Sequence, residues 1–396
     1  MQKVLMVLGA GKNEVPAIKK AKDMGIRTVV CDMDKDAPGL QCGDFNVTAK
    51  TKDPAEYLDI ARRYKINGVM TVSVESLVRT VSVIAKELGL PAITEQAAAN
   101  ATNKVLMKKA LKEHGIPSAR FVSASSLKEA RLKAAALKFP QVIKPVDRAG
   151  SRGVFKVEDI QGLSDVFDAS IREARSGEVI IEEFIDGIES TIDSVTYRGR
   201  TSILGISDKE KVHTPNIIAM DLTFPPRYSE EMQERVKKVV DDALKALSVD
   251  FGPSHVEVIV NENGPSVIEV AARAGGGLIP SDILPHLVGF DVMEKYIKLA
   301  LGEDPGIPDY TLGDSVTLRF FKAPTSGVLR RISGVEKARK MENVLKIDFI
   351  IKEGDRLNVL KEDNDRVGFV IAKGKNRSEA ARTADMVEGA IKFHIK

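Results

Sequence analysis

Glu257 and Glu269 stand six residues either side of Asn263 in the stretch HVEVIVNENGPSVIEVAARAGGG, His255 to Gly277. Each acid is set in a run of Val and Ile, and the polar cluster Asn261 to Pro265 between the runs holds an Asn-Gly pair, a strong hairpin signal. A connection of three or five residues centred on Asn263 places the two carboxylates directly opposite on one face of the hairpin. A two-residue turn at Asn263 and Gly264 slips the register by one and parts them. Opposed like charges among apolar neighbours repel, and burial adds to that cost. A divalent cation between them reverses the sign of the interaction, and carboxylates combined with phosphate oxygens are the ligands Mg²⁺ takes. The bland alternative is that one acid faces solvent and the pairing has no chemical use.

Other residues suit a nucleotide. In FPQVIKPVDRAGSRGV (139–154) a strand ending at Lys144 runs into a loop with Gly150, Ser151 and Gly153. Glycine freedom lets backbone N–H groups wrap a phosphate while Lys144, Arg148 and Arg152 neutralise it, although no GxxxxGK[ST] motif is present. In EVIIEEFIDGIE (178–189) an apolar strand leads into Glu182, Glu183, Phe184 and Ile185, and Glu189 follows the Gly187 turn. Such a hinge can offer backbone N–H and C=O to a purine edge, with Glu189 accepting from ribose hydroxyls. A surface strand with its acids in solvent is the other reading. Arg273, four residues past Glu269, carries the group best matched to a carboxylate or phosphate fork.

These residues need a scaffold. Residues 1 to about 100 alternate strand (Val4 to Leu8, Thr28 to Cys31, Gly68 to Thr71) with helix (Glu14 to Met24, Pro54 to Tyr64, Leu77 to Leu88), which predicts an α/β unit with a parallel sheet. Its Gly9-Ala10-Gly11 turn lacks the third glycine of a dinucleotide fingerprint, where Glu14 stands. It is a tight turn, or a helix N-terminus near an anionic substrate group. Asp32 and Asp34 are solvated acids or ligands of a hydroxyl or amine. Residues 101–310 hold the chemistry, with 117–182 as a lid lobe. Lys104 lies on the basic helix Asn103 to His114, whose lysines read as a solvated face. Segment 207–228, with Pro215, Pro225, Pro226 and His213, lacks periodicity and reads as a long loop over the substrate. Ser229 caps a helix to Leu247. Residues 311–396 form a smaller α+β unit with no catalytic constellation.

Composition weighs against several classes. The 59 basic and 56 acidic residues leave a net charge of +3, too balanced to draw a nucleic acid by bulk electrostatics. Two cysteines, Cys31 and Cys42, build neither a disulfide framework nor a zinc site and fit a reducing, cytoplasmic setting. The apolar start MQKVLMVLGAG reads as a buried strand, not a leader, and no run approaches the roughly 20 apolar residues of a membrane span.

In order and spacing, Lys104, Lys144, the Gly150 to Gly153 loop, the Glu182 to Ile185 hinge, Glu189, Glu257, Glu269 and Arg273 resemble the set of the ATP-grasp ligases across essentially the whole chain. The resemblance implies an ATP-grasp fold between a preceding α/β domain and a small C-terminal one. It implies ATP with Mg²⁺ (Mn²⁺ as the alternative ion): Lys104 and Lys144 on phosphates, Glu182 and the backbone of Glu183 to Ile185 on adenine, Glu189 on ribose, Glu257 and Glu269 on the metal. The family often has Asn two positions past its second metal acid; here that position is Ala271, so a second ion would have one protein ligand fewer. The run EVAAR, Glu269 to Arg273, looks most like the ligases that join two amino acids. The N-terminal half is similar to carbamoyl phosphate synthase large subunits and formate-dependent glycinamide ribonucleotide transformylases. The implied activity is carboxylate–amine ligation through an acyl phosphate, with Lys144 balancing charge and Arg273 stabilising the acyl phosphate. Its partners are small carboxylates and amines, and a homodimer is consistent with it. The rival readings are an ATP-dependent carboxylase or carbamoyl-phosphate-forming enzyme, and a nucleotide-binding regulatory module without turnover.

Overall fold

The computed structural model describes residues 2–148, 150, 152–213 and 217–396; Ser151 of the expected phosphate loop lies outside them, as does the side chain of His213. Strands β1 (Val4–Leu8), β2 (Arg27–Asp32), β3 (Phe45–Thr48) and β4 (Gly68–Met70) form a parallel sheet in the order β3-β2-β1-β4. Apolar runs such as VLMVL suit a sheet buried on both faces. Helix α1 (Val15–Asp23) joins β1 to β2, α2 (Pro54–Tyr64) joins β3 to β4, and α3 (Val78–Leu88) follows β4. Asp53 caps α2 by accepting from Ala55 N, and Pro54 starts it with a fixed φ and no wasted N–H. Strand order reverses between β1 and β4, so the crevice beyond their carboxyl ends is the switch point of this sheet.

Helix α4 (Glu95–Thr102) leads into α5 (Lys104–Glu113), which Asn103 caps through Val105 N and Leu106 N. The lysines of α5 do not all face solvent as expected: Lys104 and Lys108, one turn apart, are 6% and 0% exposed. They turn inward because acids lie on the sheets to either side, described below. A four-stranded sheet follows, with β5 (Phe121–Ala124), β6 (Gln141–Pro145), β7 (Phe155–Val157) and β8 (Val179–Glu183) in the order β5-β8-β6-β7. It is covered on one face by α6 (Leu127–Ala134) and α7 (Ile160–Glu173) through Ala130, Leu163 and Phe167.

The second large body is an antiparallel sheet ordered β13-β12-β9-β10-β11-β14-β18-β16. Its first members are β9 (Ile188–Tyr197), β10 (Arg200–His213) and β11 (Ile217–Phe224); α8 (Glu230–Ala246), β12 (Gly252–Asn261) and β13 (Gly264–Ala271) follow. Segment 207–228 is therefore not a long loop. Asp208 to Lys211 continue β10, and their charges are met across the fold: Asp208 by Arg227 and Arg377, Lys209 by Glu189 and Glu257. Arg198 and Gly199, both with positive φ (51° and 74°), make the tight β9–β10 turn. One face of β12 and β13 is apolar and packs on α8, with Val256, Val258 and Val270 against Val236, Val240 and Leu244. Helices α9 (Leu284–Val288) and α10 (Val292–Ala300) wedge between this sheet and the parallel one, Leu284, Tyr296 and Ile297 sharing a core with Leu5, Ile18 and Phe224.

Strands β14 (Ser315–Lys322), β15 (Gly327–Ser333), β16 (Val344–Phe349), β17 (Arg356–Leu357), β18 (Arg366–Gly374) and β19 (Lys392–Ile395) complete the chain with α11 (Val335–Arg339) and α12 (Arg377–Ala390). The pairing of β11 with β14 runs the large sheet on into the C-terminal region, so the tail is fused to the sheet that carries the site. Among the described residues no helix is long and apolar enough to cross a membrane.

Candidate active site

The hairpin's register is Glu257 opposite Glu269, flanked by Val256 opposite Val270 and His255 opposite Ala271. The route to it differs from the expected three- or five-residue loop. Asn261 pairs with Gly264, so the turn has two residues, Glu262 and Asn263. Val258 pairs with Val267, and the register shifts between Glu257 and Val258, leaving Ile268 as the extra residue of a bulge. That bulge brings the two acids into opposition after the short turn.

The polar face of the same strands forms one wall of a cavity of about 430 Å³, and the sheet β5–β8 forms the other. Lys104, Lys144, Gly150, Glu182, Glu183, Phe184, Ile185, Glu189, Glu257, Glu269 and Arg273 all line it. Gly153 does not: its backbone, at φ +70°, passes close to Pro145 and Glu173. Cross-strand pairs order the wall. Ile259 lies opposite Glu189, Glu257 opposite Thr191, and His255 opposite Asp193. At the Ile259 end the hinge is tied down: Asn261 donates to Asp186 O at 2.9 Å, and Gly187 passes so close to Val260 O that a Cβ would sit 2.5 Å from it. Phe184 carries the Lys156 ammonium 4.4 Å above its ring. At the other end, Arg273 donates to Glu75 Oε2 at 3.1 Å, and Ala274 N donates to Val72 O at 3.0 Å. The cleft thus runs from hinge, past the paired acids, to the switch point of the parallel sheet.

Lysines fill the acidic middle. Lys209 Nζ reaches Glu189 Oε1 and Glu257 Oε1, both at 2.7 Å, Lys211 also pairs with Glu189, and Lys104 lies 3.3 Å from Glu269 Oε2. Burial pushes the Glu257 carboxyl up, but Lys209 and His255 overcome that and hold it at about 2. Glu189 is likewise lowered, burial being outweighed by Lys209 and Lys211. Glu182, 3% exposed, rules out a strand with that acid in solvent: its Oε2 accepts from Lys144 at 2.9 Å, and its pKa is lowered by Lys108 and Lys144 in spite of burial.

At the switch point two amides of the Gly9-Ala10-Gly11 turn are already engaged, the first being Gly9 N, which donates to Cys31 O at 2.8 Å. Ala10 N donates to Asp32 Oδ2 at 2.6 Å, and Ser73 donates to Glu14 Oε1 through both N (3.2 Å) and Oγ (2.8 Å). Glu14 is 2% exposed, and burial raises its pKa. Asp32 also accepts from Asp34 N, which makes it a structural acid of the turn and not a solvated one.

The sequence reading passed over Lys209 and Lys211, which an i, i+2 lysine pair on one strand face would have signalled. It also passed over Glu75, His255 with its 2.9 Å bond to Asp193, and the C-terminal Asp363 and Arg366 that close the cavity. Those contacts join residues far apart in the chain and leave no local pattern. Glu257 and Glu269 fit Mg²⁺ in its usual manner, in which one or two carboxylates act together with phosphate oxygens and water. Among the described residues no three His, Cys, Asp or Glu side chains gather into an all-protein metal cage. Ala271, 2% exposed, offers no donor beside them.

A lid sheet and a central sheet enclose this lysine-lined, two-carboxylate cleft in the fold of the ATP-grasp enzymes, and residues 137–282 match the ATP-grasp domain. Residues 319–396 match the L-amino acid ligase C-terminal domain 2. The L-amino acid ligase from Bacillus licheniformis superposes with a TM-score of 0.89 at 22% identity, over 100% of this chain and 99% of its own. The formate-dependent phosphoribosylglycinamide formyltransferase of Synechococcus sp. (strain WH7803) is 26% identical over 99% of this chain and 98% of that protein. The biotin carboxylase domain of Hydrogenobacter thermophilus 2-oxoglutarate carboxylase, solved with MgADP, ADP and bicarbonate, shares the fold at 16% identity, with a TM-score of 0.79 over 100% of this chain and 92% of its own.

Proposed function

We propose that the protein couples a carboxylate to an amine, most simply two amino acids, with ATP cleaved to ADP and phosphate. The observation that carries this reading is the opposition of Glu257 and Glu269 on the cleft wall, with Arg273 one short loop beyond. MgATP, when bound, supplies the phosphoryl group that turns the carboxylate into an acyl phosphate, from which an amine displaces phosphate. Phosphoryl transfer asks the protein for position and charge and not for a nucleophile. The hinge 182–185 holds the base. Glu189 meets the ribose while Lys104, Lys144 and Lys209 neutralise phosphate oxygens. Glu257 and Glu269 would hold the divalent cation in place of their present ammonium partners, Lys209 and Lys104. Arg273 stabilises charge that develops at the acyl carbon. The division we assign is 1–100, 101–310 and 311–396, with the cleft in the middle part. The acids at the switch point favour an amine substrate without a phosphate, and so an amino acid over a phosphorylated sugar amine.

A matrix of amino acids and other carboxylates against amines, reading ADP and phosphate release, tests the reading. Release that needs both an acid and an amine, with an amide as product, supports it. Turnover on bicarbonate in place of the amino acid would replace it with carboxylation. Tight MgATP binding with no release across the panel would make the protein a regulatory module.

A further inference from the structure

Lys108 has no part in that scheme, yet its side chain is fully buried. It sits one helical turn after Lys104 in α5, so both point to the same side. Its ammonium donates to Val267 O of β13 at 3.0 Å and lies 3.6 Å from Glu182 Oε1 of β8. One strand belongs to the lid sheet and the other to the hairpin with the paired acids, so a single cation ties these two strands together. Glu182 Oε1 is buried without a hydrogen-bond donor, while its Oε2 takes Lys144 at 2.9 Å. Burial lowers the Lys108 pKa to about 8; Glu182 and Glu269 draw it up, and the like charge of Lys144 pushes it further down. A buried ion of this kind adds little to stability compared with an apolar side chain of the same volume.

We propose that Lys108 is a positioning residue for the nucleotide: it holds Glu182, and through it Lys144, in place against the metal-bearing hairpin. The inference rests on the nucleotide site proposed above. It places the contribution of Lys108 in nucleotide affinity, because it touches neither the acyl end of the cleft nor Arg273. Lys108→Met keeps the length of the side chain and removes the charge, whereas Lys108→Arg keeps the charge.

Calorimetry with MgADP, which binds without turnover, reads the effect directly. Lys108→Met should weaken MgADP about 10- to 100-fold, the range for a hydrogen-bonded charged group. KM for ATP should rise in parallel while kcat stays within about threefold. Lys108→Arg should recover most of the affinity, and Lys108→Met/Glu182→Gln should bind MgADP no more weakly than Glu182→Gln alone. An MgADP Kd within about twofold of wild type in Lys108→Met overturns the proposal, as does a loss that adds fully to that of Glu182→Gln. If Lys108→Met is recovered unfolded, Lys108→Gln, which can still donate to Val267 O, is held to the same two criteria. Wild-type protein that binds no MgADP overturns the nucleotide site as well, a result distinct from a Lys108 variant that binds normally.

Discussion

Arg273 carries two jobs, and one pair of substitutions separates them. Its guanidinium bonds Glu75 Oε2 at 3.1 Å and Ala274 O at 2.8 Å, and the two side chains are 13% and 12% exposed. Arg273→Met leaves Glu75 buried without its counter-ion. Breaking one partner of a buried pair costs about 3–5 kcal/mol, a large part of the roughly 5–15 kcal/mol that holds a domain folded. Burial and Glu269 already raise the pKa of Glu75, with Arg273 and Lys104 drawing it back, so without the arginine Glu75 escapes part of the penalty by taking up a proton. That argues for the lower end, about 3 kcal/mol. Arg273→Met/Glu75→Gln removes both charges and should return to within about 1–2 kcal/mol of wild type. Activity should not return: both variants should lose about 10²- to 10³-fold in kcat, the cost of one contact to developing charge. Urea midpoints by circular dichroism and phosphate release with the best substrate pair measure the two effects separately. A double variant that turns over at the wild-type rate would show that Arg273 only anchors Glu75. A stable Arg273→Met variant would refute the energetic argument for the pair.

Glu257→Gln and Glu269→Gln should each weaken Mn²⁺ binding to the ADP complex about 10²-fold, which electron paramagnetic resonance can follow without turnover. Lys108 makes a pH prediction. Its folded pKa, lowered by burial to about 8, lies below the unfolded value of about 10.4, so the unfolded chain binds more protons between them and this group's share of stability rises with pH across that window. Urea midpoints at pH 7.5 and pH 9.5, compared between wild type and Lys108→Met, should show that rise only in the wild type. Phosphoethanolamine should be a poorer amine than ethanolamine by about 10²-fold in kcat/KM, because the Ala10 amide that could take its phosphate is held by Asp32; equal rates would remove the switch-point argument.

The N-terminal sheet was legible because its signals are local: β1 spans Val4–Leu8 and α2 spans Pro54–Tyr64, as expected from an apolar run and a proline start. Segment 207–228 was not, because Asp208, Lys209, Glu210 and Lys211 in succession look solvated. They belong to a strand only because Arg227, Arg377, Glu189 and Glu257 neutralise them across up to 169 residues of chain. The inward turn of Lys104 and Lys108 has the same cause. For the site, residue types and order were readable, since carboxylates and lysines at these spacings have a chemistry of their own. The partners Glu75 and Lys108 were not, since each is chosen by tertiary packing.

The bulge at Ile268 also acts on phase. In a regular strand Val267 and Val270 would point to opposite sides, and so would the neighbours Ile268 and Glu269. One unpaired residue puts both valines under α8 and both Ile268 and Glu269 on the cleft. The strand therefore gives the site an apolar wall and a carboxylate from consecutive positions. Excising Ile268 alone would leave Glu257 facing Glu269 and take away only the wall, which makes the greasy and ionic halves of this cleft separable by a single codon.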